Sequence, residues 1–148
     1  MHDLGKPAFE WRVRVYYEDT DAGGVVFYAN YLKFFERART EWLRASGISH
    51  QRLLETDRAM FVVKSTAVDY HAPARLDDEL RLTVTIERLG RASVQFVQHA
   101  WRADGPAIQL IAVGKIRVGC VDAVSFRPLA IPRTVLAAIQ LDDKNQSF

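Results

Sequence analysis

Two aspartates one residue apart, Asp19 and Asp21, run into the pair Gly23-Gly24 and then into an apolar stretch, Val25-Val26-Phe27-Tyr28, that opens a helical pattern. A carboxylate beside a glycine turn and the partly positive start of a helix is equipped to attack a carbonyl and to hold the resulting oxyanion. An aspartate is ionised at neutral pH, so it is available as a nucleophile. As a general base it works better when apolar neighbours withdraw it from water, a service that Val25 to Tyr28 can supply. The simpler reading is that Asp21 only caps the helix and the two glycines only make a turn.

The Asp-x-Asp-x-Gly-Gly string also suggests a calcium loop. An EF-hand loop starting at Asp19 needs an oxygen ligand where Gly23 stands, a Glu where Asn30 stands and a helix on each side, so calcium is rejected. A phosphate-binding loop is rejected too, because the Gly-Lys-Ser/Thr ending is absent. His2, His50, His71 and His99 share no short ligand spacing, and no metal is expected. No Gly-x-Ser-x-Gly elbow is present, so a serine hydrolase has no support. The single Cys120 excludes an internal disulfide and reads as a small core residue.

The elements that must position the aspartates follow from periodicity. Residues 1–10 read as a loose tail. Trp11 to Tyr17 alternates as a strand, and Glu18 to Gly24 is loop. From about Tyr28 to Ser46, apolar residues at Tyr31, Phe34, Phe35, Ala38, Trp42 and Ala45 predict a long helix that Gly47 ends. Glu36, Arg37, Arg39 and Glu41 read as its ion-paired outer face, with Arg37 and Glu41 one turn apart. Ser49 starts a short second helix to about Asp57. Strands follow at Phe61 to Tyr70, Glu79 to Leu89, Ala92 to Arg102 and Ile108 to Val121, with a hairpin turn at Asp104-Gly105 and a short edge at Phe126. Pro132 opens a terminal helix to about Gln140, and 141–148 reads as a frayed tail. The order of strand, long helix and four-strand antiparallel meander predicts an α+β domain over 11–140, its sheet wrapped around the helix.

Length and composition agree with one domain. The chain has 148 residues, 49% hydrophobic and 26% charged, enough for a real core. A net charge of +2 is too small to argue for a nucleic-acid partner. The amino terminus lacks a signal-peptide core, and no apolar run approaches the roughly 20 residues of a membrane span. A cytoplasmic location is expected.

The whole string, rather than the carboxylate alone, resembles the 4-hydroxybenzoyl-CoA thioesterase family of hotdog-fold proteins, and most closely its tol-pal-associated acyl-CoA thioesterase branch. The matching residues are Tyr17-Glu18-Asp19-Thr20-Asp21-Ala22-Gly23-Gly24-Val25-Val26, then Asn30-Tyr31 and Phe34-Phe35-Glu36-Arg37-Ala38-Arg39. A second match joins Asp69-Tyr70 to Pro73-Ala74-Arg75-Leu76-Asp77-Asp78. The resemblance runs over roughly residues 12–122. It implies a hotdog fold, hydrolysis of an acyl-CoA thioester to free acid and coenzyme A, and the catalytic role on Asp21, as nucleophile or as activator of water. Tyr28 is the implied oxyanion donor through its backbone. Many members of the tol-pal branch carry His at that place, seven residues after the catalytic Asp, whereas the hydroxybenzoyl branch has Tyr, as here.

Around that pair, Gly23, Gly24, Val25, Asn30 and Tyr31 are the implied substrate-binding residues, and Phe61 is expected to bound an acyl pocket. Lys64, Arg88 and Arg91, with Arg75, are candidates to meet the phosphates of coenzyme A, which is part of the substrate, so no separate cofactor is expected. The family pairs two domains to finish each site, which predicts a homodimer or homotetramer. The tol-pal resemblance also raises contact with an acyl carrier protein or with envelope machinery. Two other readings stand beside hydrolysis: a hotdog hydratase, which needs a His that the residues after Asp21 lack, and a non-catalytic acyl-CoA-binding or envelope-associated scaffold.

Overall fold

The computed structural model describes residues 9–104 and 106–146. Strand β1 (Phe9–Arg14) leads through a single turn of 3-10 helix at Tyr17–Asp19 to helix α1 (Asn30–Ala45) and helix α2 (His50–Asp57). Strands β2 (Ala59–Tyr70), β3 (Glu79–Leu89), β4 (Ser93–Asp104) and β5 (Ala107–Asp122) follow, and helix α3 (Arg133–Gln146) closes the order. The expectation of an antiparallel sheet around one long helix holds, and so does the α+β class.

The strands line up as β1-β3-β4-β5-β2, every neighbouring pair antiparallel. This corrects the expected four-strand meander, because only β3, β4 and β5 follow one another. Tight two-residue loops force strands to pair with the next in sequence. The link 71–78, with Pro73 and the left-handed Asp77 (φ 72), is long enough to cross over, and β2 joins the far side of β5.

Helix α1 forms because its apolar residues recur at three and four, and it buries Tyr31, Phe34, Phe35, Ala38, Trp42 and Leu43. Phe34 and Phe35 are fully buried, each contributing about 1.5–3 kcal/mol by transfer alone. Phe35 needs Gly114 beneath it: a Cβ there would stand 2.8 Å from the ring. The helix ends as expected at Gly47 (φ 81), whose N–H bonds to the Arg44 carbonyl while that of Ile48 reaches Leu43. Ser49 caps α2, its hydroxyl accepting from the Arg52 N–H at 3.1 Å.

Some boundaries move. β1 ends at Arg14 instead of Tyr17, because Val15 is buried and trades backbone bonds with Asp77 and Asp78, and the chain then turns. Phe126 is no strand edge: it is exposed at φ 58, and Pro128 instead makes the isolated bridge, to Val121. α3 runs on to Gln146, six residues past the expected end. The expected loose tail over residues 1–8, the turn position 105 and the last two residues, 147 and 148, lie outside the described residues.

Candidate active site

Between Val15 and Asn30 the chain builds a small cradle. The carboxylate of Asp19 is buried: Oδ2 accepts the Tyr16 N–H at 2.8 Å, and Oδ1 accepts the Asn30 side-chain amide at 2.9 Å. Its carbonyl takes the Phe27 N–H at 2.9 Å. Asp19 therefore ties the turn to the first residue of α1 and is no candidate to meet a ligand.

Asp21 is placed differently. It is exposed at the tip of a miniature hairpin closed by the Thr20–Val26 bridge and by its own N–H on the Val25 carbonyl at 2.9 Å. Oδ1 accepts the Gly23 N–H at 2.8 Å, and Oδ2 accepts no hydrogen bond among the described residues. Gly24 adopts φ 80, which favours glycine, and a Cβ on Gly23 would press on Oδ1 at 3.3 Å. Val25 and Val26 fasten the hairpin to the link after β2, by the Val25–Arg75 bridge and the Val26 N–H on the Ala74 carbonyl at 2.8 Å. That link is fixed in turn by Arg102, which lies 3.2 Å from both the Asp78 carboxylate and the Pro73 carbonyl.

Tyr28 sits in the turn just before α1, its ring exposed. Its carbonyl accepts the Tyr70 hydroxyl at 2.9 Å, and the two rings meet edge to face at 6.3 Å. Among the described residues the backbone N–H groups of Tyr28 and Ala29 donate to no acceptor, and both belong to the positive end of the helix. Tyr31 turns inward, near Tyr70 at 5.6 Å, and burial pushes its hydroxyl up to about 12. Of the residues read from sequence, Asp21, Gly23, Gly24, Val25, Tyr28, Asn30 and Tyr31 thus share one corner. Asn30 anchors that corner with its amide committed to Asp19.

Phe61, Lys64, Arg88 and Arg91 lie elsewhere. Phe61 helps line a cavity of about 250 Å³ between the later turns of α1, β2, β4, β5 and α3. Arg88 stands on the opposite, outer face of the sheet. A bulge at Glu87 sets it across from Gln95, which faces Arg117 on β5. Arg88, Ser93, Gln95 and Arg117 enclose a recess of about 290 Å³. Lys64, extruded by a second bulge, runs across the same face over Gly119, where a Cβ would stand 2.7 Å from its Cε. Among the described residues neither Arg88, Arg117 nor Lys64 has an acidic partner. Arg91 is exposed at the β3–β4 turn.

Sequence reasoning missed Tyr70, Arg117 and, most plainly, Arg39. Arg39 does not belong to an exposed ion-paired face. It turns inward to Gln98, and burial lowers its guanidinium to about 10. On the outer face Glu41 pairs with Arg44 and not with Arg37, one turn on rather than one back. One signal was legible: Gln98 interrupts the inward apolar row Val94, Phe96 and Ala100 of β4, and such a buried amide requires a partner. No group of His, Cys, Asp or Glu suited to a metal occurs among the described residues. No helix among them is long and apolar enough to cross a membrane.

The sequence profile of the Thioesterase superfamily matches residues 23–108. The chain is 45% identical over 129 residues to the acyl-CoA thioester hydrolase YbgC of Escherichia coli, covering 87% of this chain and 93% of that protein. It is also 45% identical to the acyl-CoA thioesterase YbgC of Haemophilus influenzae, over 88% of this chain and 93% of the relative. Among solved structures, a hypothetical protein of Aquifex aeolicus superimposes with a TM-score of 0.80 at 27% identity, over 88% of this chain and 98% of that one.

Proposed function

The chain belongs to the Thioesterase superfamily and is a thioester hydrolase acting on acyl-CoA; on that premise we propose that Asp21 is the reacting carboxylate and the Tyr28-Ala29 turn its oxyanion hole. One observation carries the assignment. Of two neighbouring aspartates, Asp19 is consumed in holding the loop, while Asp21 keeps an oxygen free, and the turn seven and eight residues on carries two uncommitted backbone donors.

The chemistry follows from that arrangement. The thioester carbonyl oxygen lies on the turn N–H groups, which stabilise the negative charge that develops there. Asp21 either bonds to the carbonyl carbon, expelling the thiolate of coenzyme A and leaving an anhydride for water to open, or takes a proton from the water that attacks. Single turnover in ¹⁸O-labelled water identifies the first path when water opens the anhydride at the Asp21 carbonyl: the first acid released then carries an unlabelled oxygen from Asp21, and the label stays on the enzyme. General-base catalysis, like opening at the acyl carbonyl, labels the acid and leaves Asp21 unlabelled. The glycines let the loop approach the substrate closely, and the apolar cavity bounded by Phe61 suits an acyl chain.

Arg88, Arg117 and Lys64 are suited to the phosphates of coenzyme A, with Arg91 at the rim. Tyr70, which reaches Tyr28, pairs with Ala112 on β5, and Arg117 lies five residues further, about 17 Å along the strand. β2 has a neighbour on one side only, and its Val63 and Tyr70 are exposed. That unpaired edge is the place for an antiparallel second copy, which supports a homodimer, alone or within a tetramer. We infer a cytoplasmic location, a reducing compartment being in keeping with the single, unpaired Cys120.

Asp21→Asn tests the assignment. Hydrolysis across a panel of acyl-CoA chains is expected to collapse while coenzyme A binding and self-association persist. A variant as active as wild type removes Asp21 from the chemistry, and a wild type inactive on every chain favours the scaffold reading.

A further inference from the structure

Arg39 occupies a setting that neither the loop chemistry nor the packing of α1 demands. Its Nη1 donates to Oε1 of Gln98 at 2.9 Å, and its guanidinium carbon lies 5.9 Å from the centre of the Phe96 ring. Gln98 is wholly buried and is fixed by its second hydrogen bond, from Nε2 to the Phe35 carbonyl at 3.0 Å. A guanidinium carries five N–H donors. No carboxylate lies within ion-pairing distance of this one among the described residues. The charge that faces it most closely is Glu36 on the same helix, whose Oε2 accepts the Thr40 hydroxyl at 2.7 Å.

The same guanidinium lines the cavity of about 250 Å³ that holds Phe61. Besides Arg39, its polar lining is Glu36, Thr40 and His50, and the remaining walls are apolar: Leu43, Val118, Val135 and Ile139 among them. An apolar cavity of about 150 Å³ already takes up benzene, so this one accommodates a longer hydrocarbon. A cation already withdrawn from water, oriented by a buried amide and short of an anionic partner, has met its desolvation cost before any ligand arrives. Its planar fork matches a carboxylate.

We propose that this cavity binds a free carboxylic acid with a medium-length alkyl tail, the carboxylate on Arg39 and the tail among Phe61, Val118, Val135 and Ile139. An acid of that kind is what thioester hydrolysis releases, so the inference rests on the proposed function for the source of the ligand only, and the site is an exit or feedback station for product. Binding itself requires no turnover. Glu36 opposes the anion, and this sets a preference for one negative charge over two.

Calorimetry on the full-length protein with octanoate, decanoate and 1-decanol tests it. Decanoate is expected to bind saturably and at least about tenfold more tightly than the alcohol, which shares its tail and lacks its charge. Arg39→Met is expected to weaken decanoate by a similar factor and to erase the preference, with Arg39→Lys retaining part of it. The comparison of acid with alcohol on wild type stands even if the Arg39 variants fold poorly. Equal affinities for acid and alcohol, or no saturable binding of either acid, overturn the proposal. Asp21→Asn is expected to bind decanoate as wild type does. Loss of binding there would put the acid at the loop and overturn it as well. Absent decanoate binding with turnover abolished in Asp21→Asn sinks this site alone, while intact binding with unimpaired turnover in that variant sinks the catalytic assignment alone.

Discussion

The side-chain amide of Asn30 donates to the buried carboxylate of Asp19 at 2.9 Å, across eleven residues of chain. That bond, with the Tyr16 N–H on the other carboxylate oxygen, decides which aspartate is left to react. Asp19→Ala leaves two donors without an acceptor and is expected to cost about 1–3 kcal/mol. Asp21→Ala removes an exposed group and is expected to cost under about 1 kcal/mol. Thermal melting of the two variants checks the contrast, and an Asp19→Ala protein that melts with wild type would refute the anchoring role.

If the oxyanion rests on backbone donors, the Tyr28 side chain is dispensable and its N–H is not. Tyr28→Phe is expected to keep kcat within a few-fold of wild type. Tyr28→Pro, which deletes the N–H just before a helix where proline is tolerated, is expected to lower kcat by roughly 100- to 1000-fold. Coenzyme A binding retained by both variants separates lost chemistry from lost structure.

Two glycines of β5 are expected to answer differently to the same methyl group. At Gly114 the new Cβ meets the Phe35 ring at 2.8 Å, and Gly114→Ala is expected to lose about 1–3 kcal/mol of stability. At Gly119 it meets the flexible chain of Lys64, which swings aside. Gly119→Ala is expected to melt near wild type but to raise KM for acyl-CoA several-fold, and to leave KM unchanged for a thioester without the nucleotide. Equal rises for both substrates would detach Lys64 from the phosphates.

The alkaline limb of stability should carry the mark of Tyr31. Burial raises its hydroxyl from 10.0 to about 12, so the folded state holds this proton more tightly than the unfolded chain. The stabilisation is complete below pH 10 and is lost as pH rises towards about 12. Tyr31→Phe is expected to lack that loss, and its last tyrosinate absorbance step should vanish. Denaturant midpoints through the same window check the sign.

Much of this molecule was legible in its residues because the signals were local. The 3.6-residue spacing from Tyr31 to Trp42, the glycine that stops α1 and the alternation of β3 each follow from neighbours in sequence. The identity of Asp21 as the candidate followed from resemblance, and the contrast with Asp19 needed the fold, since it depends on a bond to Asn30. Strand order was misread because pairing across the 71–78 link is settled by the sheet as a whole. Arg39 was misread for a related reason: its helical neighbours are charged, and its partner Gln98 is far along the chain. Arg117 carried no signal beyond its charge, since the recess it shares with Arg88 exists only once β3, β4 and β5 are in register.

The bulge at Lys64 also changes the parity of β2. Phe61 and Tyr70 are an odd number of residues apart, so an unbroken strand would send them to opposite sides of the sheet. The extra residue puts both on one side, facing Cys120 and Ala112 of β5 respectively. The cavity wall at one end of the strand and the hydroxyl that holds the Tyr28 carbonyl at the other are therefore kept in phase by a single residue. Deleting any one residue between them and straightening the ladder would turn one of the two inside out, whatever side chains remained. The length of β2 is thus as much a functional trait as its composition, and a neutral path through sequence space must conserve it modulo two.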